Sequence, residues 1–232
     1  MKKYFMFLFL LAGVWQQVMA EDVSISNASD LIAFASRVND GETTLNGILK
    51  ADINLTGESF TRIGNRTYKY AGAFDGQGHS VTLDMNITGT ADSDKCQGLF
   101  GCVTGGASIS NVIVKGSITC RANCVAALVG ETNGSGTVTI TNVSCEATVN
   151  GTGTYVGAFL GNNSGGNTKV VVTNSYNTGN ITSGGVEFSV MGGWCSGTST
   201  YTNVYNTGSV TGPSNATGGK FTRNNNRTCT KC

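Results

Sequence analysis

Four stretches of the chain align on one another without gaps: Ile109-Ser-Asn-Val-Ile-Val-Lys-Gly-Ser-Ile118, Ile140-Thr-Asn-Val-Ser-Cys-Glu-Ala-Thr-Val149, Val172-Thr-Asn-Ser-Tyr-Asn-Thr-Gly-Asn-Ile181 and Tyr201-Thr-Asn-Val-Tyr-Asn-Thr-Gly-Ser-Val210. Their shared asparagines, Asn111, Asn142, Asn174 and Asn203, stand 31, 32 and 29 residues apart. Ahead of each lies a short apolar block beside glycine: Gly98-Leu-Phe-Gly101, Ala127-Leu-Val-Gly130, Ala158-Phe-Leu-Gly161 and, more loosely, Gly192-Gly-Trp-Cys195. A period near thirty residues restricts a chain to arrays in which each unit stacks on the last.

Within a unit the period is two. Val112, Val114 and Ile118, and likewise Val143, Cys145 and Val149, fall at places +1, +3 and +7 from the asparagine, with mostly polar or aromatic residues between them. Units three and four keep +7 apolar but carry Asn177 and Asn206 at +3. Alternation with β-branched residues and glycine punctuation means short strands. Two or three such strands cannot bury an apolar row alone, so the units must stack as a β-solenoid, with coils about 4.8 Å apart. The repeated asparagine then has one of two structural roles. Identical amides can hydrogen-bond up and down a column, or each can hold a surface turn at positive φ.

These units resemble GLUG-motif repeats of bacterial secreted and surface proteins, whose pattern matches best at Ile109–Ile118; the third unit departs with Ser175 for the first valine. The segments "ASDLIAFASRVNDGETTLNGILKADINLTG" and "AGAFDGQGHSVTLDMNITG" resemble the region preceding such repeats, so the likeness spans roughly residues 23–210. It implies a right-handed parallel β-helix, found beside immunoglobulin-cleaving metallopeptidases and in haemagglutinin-type adhesins, and no catalytic residues come with the motif.

The expected organisation follows. Met1-Lys-Lys3, an apolar run of about eleven residues and a Val-Met-Ala20 ending form a signal peptide cut after Ala20, too short to span a membrane. Residues 21–46 form an N-terminal cap with a short α-helix: Ser29 is its N-cap, and Leu31, Phe34, Ala35 and Val38 share one face up to Asn39-Asp-Gly41. Residues 47–95 form lead-in coils, beginning with a strand over Ile48–Leu55. Residues 96–210 are the four repeats, and 211–232 a polar, basic, cysteine-containing tail that either covers the last coil or leaves it open. The fold class is all-β, a right-handed parallel β-helix with a short N-terminal capping helix.

The 232 residues hold 15 Lys and Arg against 14 Asp and Glu, and only 12% are charged. Such a chain has no electrostatic footprint for nucleic acid and does not read as a charged disordered tail. From Cys96 onward there are only three acids, Glu131, Glu146 and Glu187, whereas a glycosidase needs two carboxylates across the scissile bond. Glu146 would stand beside Lys115 of the preceding coil as a surface ion pair. Arg62, Arg66 and Asp75 are candidates for a lyase site. The lone histidine, His79, reads as a turn residue. Asp92-Ser-Asp94 supplies too few carboxylates for a dedicated calcium site, and no cofactor is implied.

Eight cysteines in an exported chain suggest disulfides. The candidates are the local pairs Cys120/Cys124 and Cys229/Cys232, and Cys96, which precedes the same kind of block as Cys124 one coil earlier. A four-cysteine zinc site built from the two local pairs would need the tail to fold back over several coils. Cys145, aligned with Val114, reads as a buried thiol. Tyr176 and Tyr205 share place +2 one coil apart, as a ligand-contact strip or as cross-strand stacking.

The expectation is an exported non-catalytic β-solenoid, adhesive, binding or spacing, secreted or at the cell surface. Its partner would be a host glycan or matrix protein, or another surface protein. Nucleic acid and a membrane span in the mature chain are not expected. The alternative is a carbohydrate-active β-helix enzyme of polysaccharide-lyase or glycosidase type, with its site in residues 52–94.

Overall fold

The structure, a computed structural model, describes residues 20–164, 166–214, 221–222 and 227–232. The leader expected over residues 1–20 therefore lies, Ala20 apart, outside the described residues. The chain winds into a β-solenoid of about six turns with parallel sheets. One coil shows the path. The chain runs through Val125–Ala126 and Val129–Thr132, then Ser135–Thr141, bends at Asn142, and continues through Ser144–Cys145 and Thr148–Gly151. Each strand pairs in parallel with its counterparts in the coils on either side, because every coil carries the chain back in the same direction. The result is one long sheet, a four-stranded sheet and a three-stranded sheet around a common core.

The gapless alignment of the repeats is the observed pairing register. Phe74, Ile109, Ile140, Val172 and Tyr201 form one inward column. Val81, Val114, Cys145, Asn177 and Asn206 form a second. Met85, Ile118, Val149, Ile181 and Val210 form a third. Each fully buried aliphatic side chain contributes roughly 1.5–3 kcal/mol, and a one-residue slip would turn a whole column outward.

The apolar blocks stack as Phe100, Val129 and Leu160. The fourth block is displaced from the expected Gly192–Cys195: since Asn162 pairs with Trp194, Leu160 stands opposite Gly192 and Gly161 opposite Gly193. The repeat unit there is Val190-Met-Gly-Gly193. Its closing glycine has a steric cause. A Cβ on Gly130 would lie 2.5 Å from the Cys96 carbonyl carbon, one on Gly161 2.8 Å from that of Cys124, and one on Gly193 2.6 Å from that of Tyr155. The block can pass that corner of the coil only without a side chain.

At the N-terminus, Asp22–Ile25 pairs with Asn46–Leu49, a rung absent from the sequence expectation. The expected strand over Ile48–Leu55 is two strands, Asn46–Leu49 and Ile53–Asn54. Helix α1 (Ala28–Asn39) buries Leu31, Phe34, Ala35 and Val38 as expected, but its N-cap is Asn27 rather than Ser29. The Asn27 Oδ1 accepts from the Asp30 N–H at 2.9 Å, the stronger placement because it satisfies an otherwise orphan donor of the first turn. Phe34 reaches Phe74 edge-on at 6.0 Å, and Phe74 meets Phe100 at 5.3 Å. Gly47 makes room, since a Cβ there would fall 2.6 Å from the Phe74 ring. At the other end the tail adds Arg227–Thr230 beside Thr198–Asn206, and Phe221 packs edge-on against Tyr201 at 6.3 Å. The described residues of the tail thus pack on the last coil. Among the described residues no helix is long and apolar enough to cross a membrane.

Candidate functional site

The coils turn at two corners where a non-glycine residue takes positive φ, the first on four successive coils and the second on three. The first holds the repeated asparagines: Asn111, Asn142, Asn174 and Asn203 have φ of 53°, 56°, 49° and 54°. Asparagine tolerates this region better than most residues, so the turn reading holds, and the amide-column reading holds in part. Asn111 Nδ2 donates to Asp75 at 2.9 Å, Asn142 to Asn111 at 3.0 Å, and Asn203 to Asn174 at 2.9 Å. Between Asn142 and Asn174 the link passes to Ser175, whose Oγ accepts from the Val143 N–H at 3.0 Å. The column is half-exposed or exposed, so it does not need every member, as a buried one would. A buried amide stands at place +3 instead, where Asn177 Nδ2 donates to the half-buried Asn206 Oδ1 at 2.7 Å and to the Gly179 carbonyl at 2.8 Å.

Beside that corner, Ser80, Ile113, Ser144, Tyr176 and Tyr205 form an outward column. Tyr176 and Tyr205 stack with ring centres 5.1 Å apart and planes 8° from parallel. Gln77, Asn111, Asn142, Asn174, Ile113, Ser144 and Tyr176 line an open cleft of about 570 Å³ with no charged side chain. Tyr205, 51% exposed, extends the strip.

The second corner holds Cys96, Cys124 and Tyr155, at φ of 63°, 65° and 68°. Facing it, Cys102, Glu131, Asn162 and Trp194 stand in register on four successive coils. Cys96, Cys102 and Cys124 form a small buried cluster apart from the main core, with Tyr155 packed on it. Glu131, 4% exposed, is held from both sides. Its Oε1 accepts from Ser164 Oγ at 2.7 Å and Asn162 Nδ2 at 3.2 Å. Its Oε2 faces Cys96 Sγ at 3.1 Å, Cys102 Sγ at 3.9 Å and Arg66 Nε at 3.2 Å.

The electrostatics follow from that crowding. Hydrogen bonds from Cys102 and Cys124 make Cys96 the most readily ionised of the three thiols. The same contacts, together with burial, push Cys102 and Cys124 up. Burial first, then charge on Cys96, raises Glu131 above the ordinary carboxylate range. Sulfur and carboxylate atoms of Cys96, Cys124 and Glu131 all lie within 4.8 Å of one another.

Several expectations are corrected. Cys96, Cys102, Cys120, Cys124, Cys145, Cys195 and Cys232 are thiols in this structure rather than halves of the suggested disulfides; Cys96 does neighbour Cys124, but unbonded. The local pairs do not form one zinc site: Cys120 donates to the Ala122 carbonyl at 3.6 Å, Cys124 belongs to the second corner, and Cys229 and Cys232 are exposed at the last coil. Cys145 is buried as expected. Glu146 forms no ion pair with Lys115 among the described contacts and accepts from Ser144 Oγ at 2.9 Å. Arg62 and Arg66 meet in a second cleft of about 370 Å³ with Asn39, Asn65, Tyr68 and Asp92, whereas Asp75 is elsewhere, holding Asn111. Asp92 is engaged by Lys95 at 2.6 Å and Arg66 at 3.4 Å, and Asp94 accepts from the Ala91 N–H. His79 sits 3.5 Å from Asp52 in its turn.

Cys102 and Glu131 were not grouped from sequence, although both fall two places after the stacked residues Phe100 and Val129. Reading that offset across the aligned blocks would have put them in one column.

No family model matches the chain, and no curated protein does. Among solved structures, the chain is similar to the crystal structure of "a putative immunoglobulin A1 protease from Bacteroides ovatus", with 15% identity, 81% of this chain and 76% of that chain covered, and a TM-score of 0.46.

Proposed function

We propose that this chain is an exported, non-catalytic β-solenoid of the GLUG-repeat type, acting as an adhesive or binding module, or as a spacer, at the bacterial surface or outside the cell. Its first corner would bind an extended neutral ligand, a host glycan or an exposed segment of a matrix protein. The observation that carries this reading is the uncharged cleft lined by amides and continued by two stacked tyrosines. Aromatic faces offer contact area at low entropic cost, planar amides offer donors and acceptors together, and a rigid groove loses little on binding. Export rests on the leader pattern of Met1–Ala20.

The test is a glycan and matrix-protein binding array with the chain from Glu21. A specific hit weakened about tenfold or more by Tyr176→Ala or Tyr205→Ala supports the reading; a hit indifferent to both contradicts the placement of the site. The second reading, a carbohydrate-active enzyme with its site in residues 52–94, is favoured by the cleft that brings Arg62, Arg66 and Asp92 together. Incubation with acidic and neutral polysaccharides separates the two, since new reducing ends or unsaturated products abolished by Asp92→Asn would establish turnover.

A further inference from the structure

The groove makes no use of the second corner, and ordinary core packing does not account for it. Three thiols and one carboxylate converge there from two successive coils, whereas a residue whose only task is to turn the chain needs no such chemistry. Glu131 is the informative member. A buried carboxylate is costly unless its charge is used or compensated. Ser164 and Asn162 hold one oxygen, and the other faces the sulfur atoms with Arg66 Nε beside it. That is how outer partners orient a ligating carboxylate.

We infer that Cys96, Cys124 and Glu131, with Cys102 as the fourth donor, form a binding site for one thiophilic divalent cation, of which Zn2+ is the best match. The donor set argues for the ion. Thiolates select zinc-like metals over calcium or magnesium, and a carboxylate oxygen is an accepted partner in such sets. Burial argues for a structural role, because Cys96 and Cys102 are 0% exposed, Cys124 2% and Glu131 4%, leaving no open position for a substrate. Three thiolates and one carboxylate around a divalent ion carry two net negative charges. Arg66, 3.2 Å from Glu131 Oε2, offsets one of them, and Arg62 acts on Cys102 from farther away. An odd thiol count also argues against a simple disulfide, which would strand one sulfur beside the carboxylate. Binding changes no oxidation state: the ion displaces one proton from each thiol it takes, so affinity must fall steeply as pH drops. The ion would tie together the coils carrying Cys96, Cys102, Cys124 and Glu131.

The experiment uses the chain from Glu21, reduced, stripped of metal and titrated with Co2+ and then Zn2+. The expected result is one ion per chain, a thiolate-to-cobalt charge-transfer band with tetrahedral d–d bands, displacement of both by Zn2+, and a zinc-dependent rise in Tm. Glu131→Gln should weaken binding while leaving the circular dichroism unchanged. Ser164→Ala, which only orients Glu131, should cost about 10–100-fold in affinity. Cys232→Ser, at the far end of the solenoid, should change nothing. Folded, reduced protein that shows no charge-transfer band overturns the inference. So does mass mapping of protein isolated without reductant that finds Cys96 disulfide-bonded to Cys102 or Cys124. If Cys96→Ser fails to fold, the wild-type cobalt spectrum and Glu131→Gln still decide the matter.

Discussion

The two kinds of corner in the coils solve the same geometric problem with different residues. Both turn the chain through positive φ, one with asparagine on four successive coils, the other with cysteine, cysteine and tyrosine. Asparagine does this cheaply and leaves its amide at the surface. Cysteine has no such ease, and a non-glycine residue held there costs on the order of 1–3 kcal/mol. Glycine would relieve the strain at the second corner. Its side chains are therefore retained against a cost, and they point into a buried cluster. The first corner is a repeated, open surface; the second is a local, closed arrangement.

The contrast can be broken most strongly through the glycine that passes the second corner. Gly130→Ala forces a Cβ against the backbone of Cys96 and Gln97 and should cost about 2–3 kcal/mol, read as a lowered denaturant midpoint. The amide pair of Asn177 and Asn206 comes next. Asn177→Ala leaves the Asn206 Oδ1 without its donor and should cost about 1–3 kcal/mol in the same assay. At the first corner, Asn142→Ala should cost about 1 kcal/mol because alanine resists positive φ, whereas Asn142→Gly should stay within about 0.5 kcal/mol of wild type. An equal loss for the two would mean that the amide contacts, not the turn, set the cost. The smallest expected effect on stability is that of Tyr205→Ala, about 0.5–1 kcal/mol from the lost ring stack, although its effect on ligand binding should be large.

The difference between the corners also explains what the sequence reveals. The asparagine corner is legible because the same residue recurs at the same place, and recurrence fixed the register of Ile109, Ile140, Val172 and Tyr201 as well as the pairing of Tyr176 with Tyr205. The cysteine corner changes identity from coil to coil: the blocks that follow Cys96 and Cys124 make those two equivalent, but Tyr155 joins their column only when the coils are superposed. Its facing column, Cys102, Glu131, Asn162 and Trp194, mixes four chemistries for the same reason. The displaced fourth block shows the limit of pattern matching. Gly192-Gly-Trp-Cys195 resembles its predecessors by composition, yet the glycine demanded by the Tyr155 backbone is Gly193, and this moves the unit by two residues. The cap was legible through its helical face but not its start, where Ser29 and Asn27 are both plausible caps by type and only the bond to Asp30 decides.

The most direct test of this account is a native alkylation map of the cysteines: a brief label on the folded, reduced protein, a second label after unfolding, and assignment by mass. The account predicts early labelling at the exposed Cys232, with Cys96, Cys102, Cys120, Cys124, Cys145 and Cys195 protected until unfolding. Early labelling of Cys96 and Cys124 at the rate of Cys232 would contradict it, because the second corner would then be open, and neither the stacked register nor the closed site could stand.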